Sequence, residues 1–323
     1  MTISTESIGR NYSLIPDNLI QTFFAPKFSF RSVSSSDVAR RRAERKIGDE
    51  VVEIIRFIFE SGFSTLDQIS RAIGTEVSLE FMNNLAAQHF VNYFVLDETK
   101  NDKLIQSPGD LRIYVLDFAG IYLLMVEGDD ITKWRHTDTF RSSKVIRKVL
   151  KQTELFLAFK QLKSLGIRSY QKKPDFRLNG EPCDIDFSIS LLAEGSFIPI
   201  NFIGLIAEKG SEDLFFANTL RDVNSIFKET KTVLKYYPLD KETFPRLLVV
   251  IDDSTDKQSI IRAANAVGQC TDFSGSELMI VGYNDMVSVG LADAHYFSIR
   301  VITDPTTGVK KVEIGSVTNA TLK

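Results

Sequence analysis

The sequence predicts a protein of mixed α and β structure in two domains, α+β in the first half and α/β in the second. Three observations lead to this prediction. Three helical patterns followed by two β-rich segments occupy residues 47–138. Strand-like segments then alternate with helical ones across residues 167–303. The length of 323 residues, with 43% hydrophobic and 25% charged side chains, is sufficient for two globular domains.

Composition excludes several classes of protein. Cys183 and Cys270 are too few for a disulfide framework or a thiolate zinc site. No apolar run approaches the roughly 18 residues of a membrane-spanning helix, and the N-terminus has no apolar signal core. We therefore expect a cytoplasmic protein with no membrane partner.

The net charge of −3 conceals a strong local asymmetry. Residues 131–173 carry twelve Lys and Arg side chains against two acidic ones, whereas residues 174–323 are acidic. Clustered basic side chains attract phosphate backbones and release condensed counterions. The charge pattern therefore favours an anionic partner, and double-stranded DNA is the leading candidate. The alternative is a charged surface that is only solvated.

Helical periodicity predicts three short helices in the first domain. Apolar residues from Val51 to Phe59 have helix spacing, and Gly62 ends that run. Ser64 is the expected N-cap of a second helix that ends at Gly74. Ser78 is the expected N-cap of a third, which runs toward His89 and Phe90.

Two β-rich segments follow the helices. Residues 91–96 read VNYFVL and residues 111–116 read LRIYVL, with a polar segment between them that predicts a long hairpin tip. Three helices and a hairpin is the order of a winged helix domain, whose third helix enters the DNA major groove. Residues 78–90 contain no Lys or Arg, so the candidate base contacts are Asn83, Asn84, Gln88 and His89. A winged helix that binds protein is the alternative.

Two basic segments flank this domain. Residues 1–46 are predicted to be an irregular arm whose basic cluster, Arg40, Arg41, Arg42 and Arg45, would hold phosphates. Residues 139–166 are predicted to be an amphipathic connecting helix. Arg141, Lys144, Lys148 and Lys151 recur every three or four residues and could follow a DNA backbone from one side of this helix. The alternative is a solvated hinge helix between the two domains.

The second domain is predicted to be a mixed-sheet α/β fold over residues 167–303. A C-terminal tail at 304–323 follows, with a last hairpin through Pro305 to Gly308 and then a frayed end. A Walker loop, a Gly-rich dinucleotide fingerprint and a nucleophile elbow are all missing from the sequence. The chemistry of nucleotide-binding folds and of serine hydrolases of this type is therefore not indicated for this domain.

The order of elements over about residues 45–295 resembles that of the replication-relaxation family of plasmid-encoded proteins. The matching motifs are KKPDF at residues 172–176 and LRIYVLDFAG at residues 111–120. The resemblance implies action on plasmid DNA in replication, relaxation or mobilisation. It also implies that the second domain is similar to the PD-(D/E)xK nuclease fold. Relaxase or replication proteins would then be partners. Because winged helix proteins often dimerise, a homodimer is a further expectation.

A nuclease of this class needs an Asp, then an Asp or Glu on the following strand, and a Lys two residues after that second carboxylate. The carboxylates hold Mg²⁺, and the Lys assists the attacking water. Asp175 could be the first residue. The second is then Asp184, with Asp186 in the Lys position, or Asn201, with Ile203 in that position. Neither assignment of the motif supplies the Lys. Asp175, Asp184 and Asp186 could still form a carboxylate cluster that binds a metal.

These observations lead to three functional hypotheses. The first is an accessory protein of a plasmid or other mobile element that binds DNA, requires no cofactor and retains an inactive nuclease-like domain. The second is a Mg²⁺-dependent endonuclease or nickase. The third is a winged helix transcriptional regulator whose second domain senses a ligand or partner.

Overall fold

A computed structural model describes residues 22–97, 111–132, 134, 141–172, 174, 177–178, 181–182, 185–207, 246–252, 258, 260–262, 278–308 and 310–317. The chain divides into two compact units, residues 1–157 and 158–323. Both units combine helices and sheets, which confirms the mixed α and β class.

The first unit has six helices and a four-stranded antiparallel sheet in its described part. The helices are α1 (Ser35–Ala43), α2 (Asp49–Ser61), α3 (Leu66–Ile73), α4 (Leu79–Ala87), α5 (Phe118–Glu127) and α6 (Ser143–Lys160), the last ending in the second unit. The strands are β1 (Phe23–Pro26), β2 (Val91–Leu96), β3 (Ile113–Leu116) and β4 (Arg141–Ser142), in the order β3-β2-β1-β4.

The three predicted helices are confirmed as α2, α3 and α4, and each begins or ends on a local signal. Ser78 caps α4 by accepting a hydrogen bond from the Phe81 amide, as expected. The cap of α3 is Thr65 rather than Ser64, because Thr65 and Gln68 form a reciprocal capping box. Gly74 ends α3 in the left-handed conformation that glycine adopts without strain.

Ser64 has a different role, because it joins the sheet edge. Its amide donates to the Tyr114 carbonyl at 3.1 Å, and the Tyr114 amide donates back to the Ser64 carbonyl at 2.8 Å. The predicted hairpin is also confirmed, since β2 and β3 pair antiparallel from Val91 opposite Leu116. Residues 98–110, within the connection between these strands, lie outside the described residues.

The prediction of an irregular N-terminal arm is wrong where the structure describes it. Residues 23–26 form β1, which pairs with β2 and β4. Residues 35–43 form α1, capped by Ser34 and closely associated with α5. The sequence hides this helix because only Val38 is buried, so there is almost no apolar periodicity to detect.

A close backbone approach holds α5 against the junction between α4 and β2. The Phe90 carbonyl accepts a hydrogen bond from the Asp117 amide, and Asp117 caps α5. A Cβ atom on Gly120 would lie 2.3 Å from that carbonyl oxygen. Gly120 is therefore required for this packing, because any side chain would push α5 away.

The connecting helix is shorter than predicted. α6 begins at Ser143 and ends at Lys160, so Arg141 lies on β4 and residues 165–172 form a strand. The buried Glu154 carboxylate on α6 accepts two hydrogen bonds of 2.6 Å from Arg71 and one of 3.2 Å from Gln68. This bidentate pair fixes α6 to α3 within the first unit.

The second unit is built on a seven-stranded mixed sheet. Its strands are β5 (Leu165–Lys172), β8 (Phe187–Ala193), β9 (Ile200–Ile206), β10 (Arg246–Ile251), β11 (Leu278–Gly282), β12 (Tyr296–Thr303) and β13 (Lys310–Val317). They lie in sequence order from β5 to β13. Among these described strands, the neighbours β9–β10 and β10–β11 pair parallel and the other neighbours pair antiparallel. A small pair, β6 (Arg177–Leu178) and β7 (Glu181–Pro182), and the helix α7 (Tyr283–Val289) complete the described elements.

The predicted mixed sheet is therefore confirmed. The hairpin predicted through residues 305–308 is also confirmed, since β13 pairs antiparallel with β12 from Lys310 opposite Thr303 to Val317 opposite Tyr296. This pairing places residues 310–317 in the large sheet rather than in a separate tail. The sequence also predicts a helix over about residues 214–236, which lie outside the described residues.

Alternate side chains of β8 lie on opposite faces of the sheet, of which one is apolar and the other polar. Phe187 and Ile189 point to the apolar face, where the Phe187 ring lies 6.3 Å from those of Phe159 and Tyr170. Gly204 is opposite Phe187 on β9. A Cβ atom on Gly204 would lie 1.8 Å from the Phe187 ring, so the ring occupies the space that a side chain would need.

Replacement of Gly204 by Ala should therefore destabilise the second unit by about 1–3 kcal/mol, because the buried Phe187 ring must leave its position. Gly166→Ala is the matched control, since its Cβ would meet only Leu192 O at 3.8 Å. Urea unfolding followed by far-UV circular dichroism would measure both variants. Equal stability of the two variants would contradict this account of the packing.

Candidate nucleic-acid interface

The outer face of α4 is polar and exposed. Met82, Leu85 and Ala86 bury the inner face of this helix in the core of the first unit. The exposed side chains on the opposite side include Asn83, Asn84 and Gln88, which we call the amide face. Primary amides can both donate to and accept from base edges, and this pairing suits adenine in the major groove.

An arginine from the hairpin lies at one end of the amide face. The Arg112 guanidinium donates a hydrogen bond to Asn83 Oδ1 and lies over the Tyr93 ring, 4.7 Å from its centroid. Tyr93 is itself supported edge-on by Phe28 at 5.6 Å. The ring stack limits the rotamers of Arg112, so its charge is held beside α4.

A second arginine, Arg41, lies at the other end of the amide face and makes the same two kinds of contact. The Arg41 guanidinium, from α1, donates to Gln88 Oε1 and lies 5.6 Å from the centroid of the Phe90 ring. Each end of the amide face therefore has a guanidinium that stacks on an aromatic ring and binds an amide oxygen. The first unit thus supplies the positive charge that the sequence of α4 lacks.

Sequence reasoning included Arg41 but missed Arg112. A signal for Arg112 was present, because strand alternation places Arg112, Tyr114 and, across the hairpin, Tyr93 on one face. The signal required the hairpin register, which the sequence does not fix because the intervening segment is long.

His89 has a structural environment that differs from the predicted base contact. Its side chain is half-buried, and its Nδ1 lies 3.1 Å from the carboxylate of the buried Asp117. Its φ angle of 61° is in the left-handed region, and its carbonyl accepts from the Ala119 amide. His89 therefore positions the end of α4 against the start of α5.

Two of the four arginines in the predicted N-terminal basic cluster, Arg40 and Arg42, form intramolecular ion pairs. Arg42 binds Glu127 and Asp49 at 2.6 Å each, and its hydrogen bonds to Glu127 and then Asp49 raise its pKa. Arg40 pairs with Asp37 and Glu44. These carboxylates already neutralise much of the charge that the sequence offered for phosphates, whereas Arg41 binds an uncharged amide.

The predicted basic side of α6 is not continuous. Lys144 is exposed and Lys148 is partly buried, but Lys151 is fully buried at 0% exposure. Arg141 lies before the helix, on β4. A phosphate backbone cannot reach Lys151 in this arrangement, so the prediction of a four-residue basic stripe is wrong at that residue. Helical periodicity could not reveal this because α6 is buried on more than one side.

The carboxylate cluster expected in the second unit can be assessed only at Asp186, because Asp175 and Asp184 lie outside the described residues. Asp186 is fully buried just before β8 and accepts a 2.7 Å hydrogen bond from the Ile206 amide. By alternation it shares the polar sheet face with Ser188 and Ser190. Asn201 lies opposite Ser190 on β9. None of the residues of β9, INFIGLI, is a carboxylate or a Lys.

The described residues contain no group of three or more His, Cys, Asp or Glu side chains arranged to hold a metal ion. Within the same residues, none of the helices has both the length and the apolar character needed to cross a membrane.

No protein-family model, curated protein or solved structure matches the chain.

Tyr114 connects the stability of the candidate interface to pH. Burial raises the pKa of Tyr114 from 10.0 to about 12, against an opposing effect of the nearby Arg112 charge. Because the pKa is higher in the folded than in the unfolded state, the fold favours the neutral phenol. The resulting contribution to stability is fully present below pH 10. This contribution is then lost as pH rises from 10 toward 12.

We expect Tyr114→Phe to remove that part of the alkaline sensitivity. The difference in unfolding free energy between wild type and variant should fall by about 2–3 kcal/mol between pH 9 and 12. Trp134 is the only tryptophan and lies in the first unit, so its fluorescence reports this unfolding. A constant difference across this range would contradict the burial of the phenol.

Proposed function

We propose that this chain binds double-stranded DNA through its first unit, which acts as a winged helix domain with α4 as its recognition helix. The observation that carries the proposal is the amide face of α4 with Arg41 and Arg112 at its two ends. The element order from α2 to β3 supports it, as does the pairing of Ser64 with Tyr114, which connects the turn before α3 to the hairpin.

The biological setting of the proposal comes from the likeness to the replication-relaxation family. On that basis the chain is an accessory protein of a plasmid or other mobile element, active in replication, relaxation or mobilisation. Relaxase or replication proteins would be its protein partners. The second unit is then a PD-(D/E)xK-like domain that serves binding or assembly, and the accessory role requires no cofactor.

The double variant Arg41→Ala/Arg112→Ala tests the assigned interface. Each arginine that reaches a phosphate contributes about 0.9 to the slope of log affinity against log salt. We expect the variant to bind duplex DNA at least about tenfold more weakly, with a slope shallower by about 2. Fluorescence anisotropy on a random duplex at several salt concentrations would measure both quantities.

Arg40→Ala/Arg56→Ala is the matched control, because it removes two exposed guanidinium groups that already pair with carboxylates. It should leave the salt slope nearly unchanged. Equal effects of the two double variants would mean that only overall charge matters, and the interface assigned to α4 would be wrong.

A Mg²⁺-dependent endonuclease or nickase is the second candidate. The observation that favours it is the buried carboxylate of Asp186 on the polar face of a mixed sheet. The composition of β9 argues against it, since this strand supplies neither the second carboxylate nor the Lys that the chemistry needs.

Incubation of the protein with supercoiled plasmid and Mg²⁺ distinguishes the two candidates. The accessory proposal predicts intact DNA under conditions where anisotropy shows binding. Nicked or linear product that appears with Mg²⁺, disappears with chelator and is lost in both Asp175→Ala and Asp186→Asn would instead establish the nuclease.

A further inference from the structure

The connection between β8 and β9 presents two large apolar side chains to solvent. Phe197 is 90% exposed and Ile198 is 65% exposed. An isolated exposed aliphatic residue is ordinary, but two adjacent side chains at a hairpin tip with this exposure form a projecting apolar point. We call Phe197 and Ile198 the apolar tip.

The apolar tip is held in place by its own turn. The Ser196 amide donates to the Ala193 carbonyl at 3.0 Å, and Gly195 has a φ angle of 75°. The Ser196 hydroxyl accepts from the Ile198 amide at 3.1 Å and lies 3.3 Å from the Ile198 carbonyl. Pro199 follows and restricts the backbone of Ile198. Insertion of a preorganised tip loses little conformational entropy.

Basic side chains lie on the neighbouring turn. Leu165 on β5 pairs with Ala193 on β8, which brings the turn before β5 alongside the turn that carries the apolar tip. Lys163 is exposed on this turn and Lys160 at the end of the preceding helix α6, whereas Glu194 is exposed on the turn of the apolar tip. Among these described residues two positive charges accompany one negative charge, which favours an anionic partner.

We propose that the apolar tip is a wedge that enters the minor groove of duplex DNA between adjacent base pairs and kinks the helix, with Lys160 and Lys163 on the flanking phosphates. This inference rests on the proposed DNA-binding function. Phe and Ile are among the residues that unstack base steps in this way. Two side chains are too small to supply the roughly 800 Å² per partner of a stable protein interface, whereas a wedge needs no larger area.

The test uses the full chain and a duplex that carries 2-aminopurine at its centre and a fluorescence energy-transfer pair at its ends. Wild-type protein should raise the 2-aminopurine fluorescence, because the base unstacks, and should increase energy transfer, because the duplex bends. Phe197→Ser/Ile198→Ser should lose both signals while affinity falls by less than roughly tenfold, since the other phosphate contacts remain.

Ile302→Ser/Ile314→Ser is the matched control, because both isoleucines are exposed on the same sheet but lie away from the apolar tip in sequence. It should keep both signals. Anisotropy and far-UV circular dichroism on the same samples would verify binding and folding.

The outcomes separate this inference from the function on which it rests. Wild-type binding without unstacking or bending, or unchanged signals in Phe197→Ser/Ile198→Ser, would overturn the wedge and leave DNA binding intact. The absence of any duplex binding by wild type would overturn the proposed function itself. Capture of wild type on anionic vesicles, lost in the tip variant and without a DNA kink, would replace the wedge by a lipid contact.

Discussion

The packing of α5 onto the end of α4 is the constraint on which the candidate interface depends. The Phe90 carbonyl binds the Asp117 amide, and the missing side chain at Gly120 allows α5 to approach that carbonyl. The left-handed backbone of His89 turns the chain from α4 into β2 at the same point. Because β2 and β3 form one hairpin, this junction also sets where Arg112 lies relative to Asn83. A shift at Gly120 would therefore move the two halves of the interface apart.

Charge in this protein has two different uses, which net counts cannot distinguish. Arg42 and Arg71 bind carboxylates and join elements of the first unit, so they contribute to the fold. Arg41 and Arg112 stack on rings and bind amide oxygens, which leaves their positive charge without a neutralising carboxylate among the contacts described. The second pair is therefore better suited to phosphates, although the sequence gives all four residues the same weight.

The sequence was a good guide where local signals determine structure. Helical spacing predicted α2, α3 and α4, although the predicted cap of α3 was one residue away from the observed one. Runs of β-branched and aromatic residues predicted the hairpin and strands of the large sheet. It failed at α1, which has little apolar periodicity, and at Lys151, whose burial depends on how α6 packs. It could not identify Arg112 as a site residue, because contact with Asn83 depends on the hairpin register and on the α4–β2 junction. Interactions between distant segments were thus the part that the sequence left open.

The central claim is that α4 and the hairpin meet the DNA, and hydrogen exchange would test it most directly. The backbone amides of each segment can be followed by mass spectrometry in the free protein and with saturating duplex. The account predicts slower exchange at residues 79–90 and 111–116 on addition of duplex, with α2 unchanged because it is buried in the core. Slower exchange confined to other segments, with these two unaffected, would contradict it.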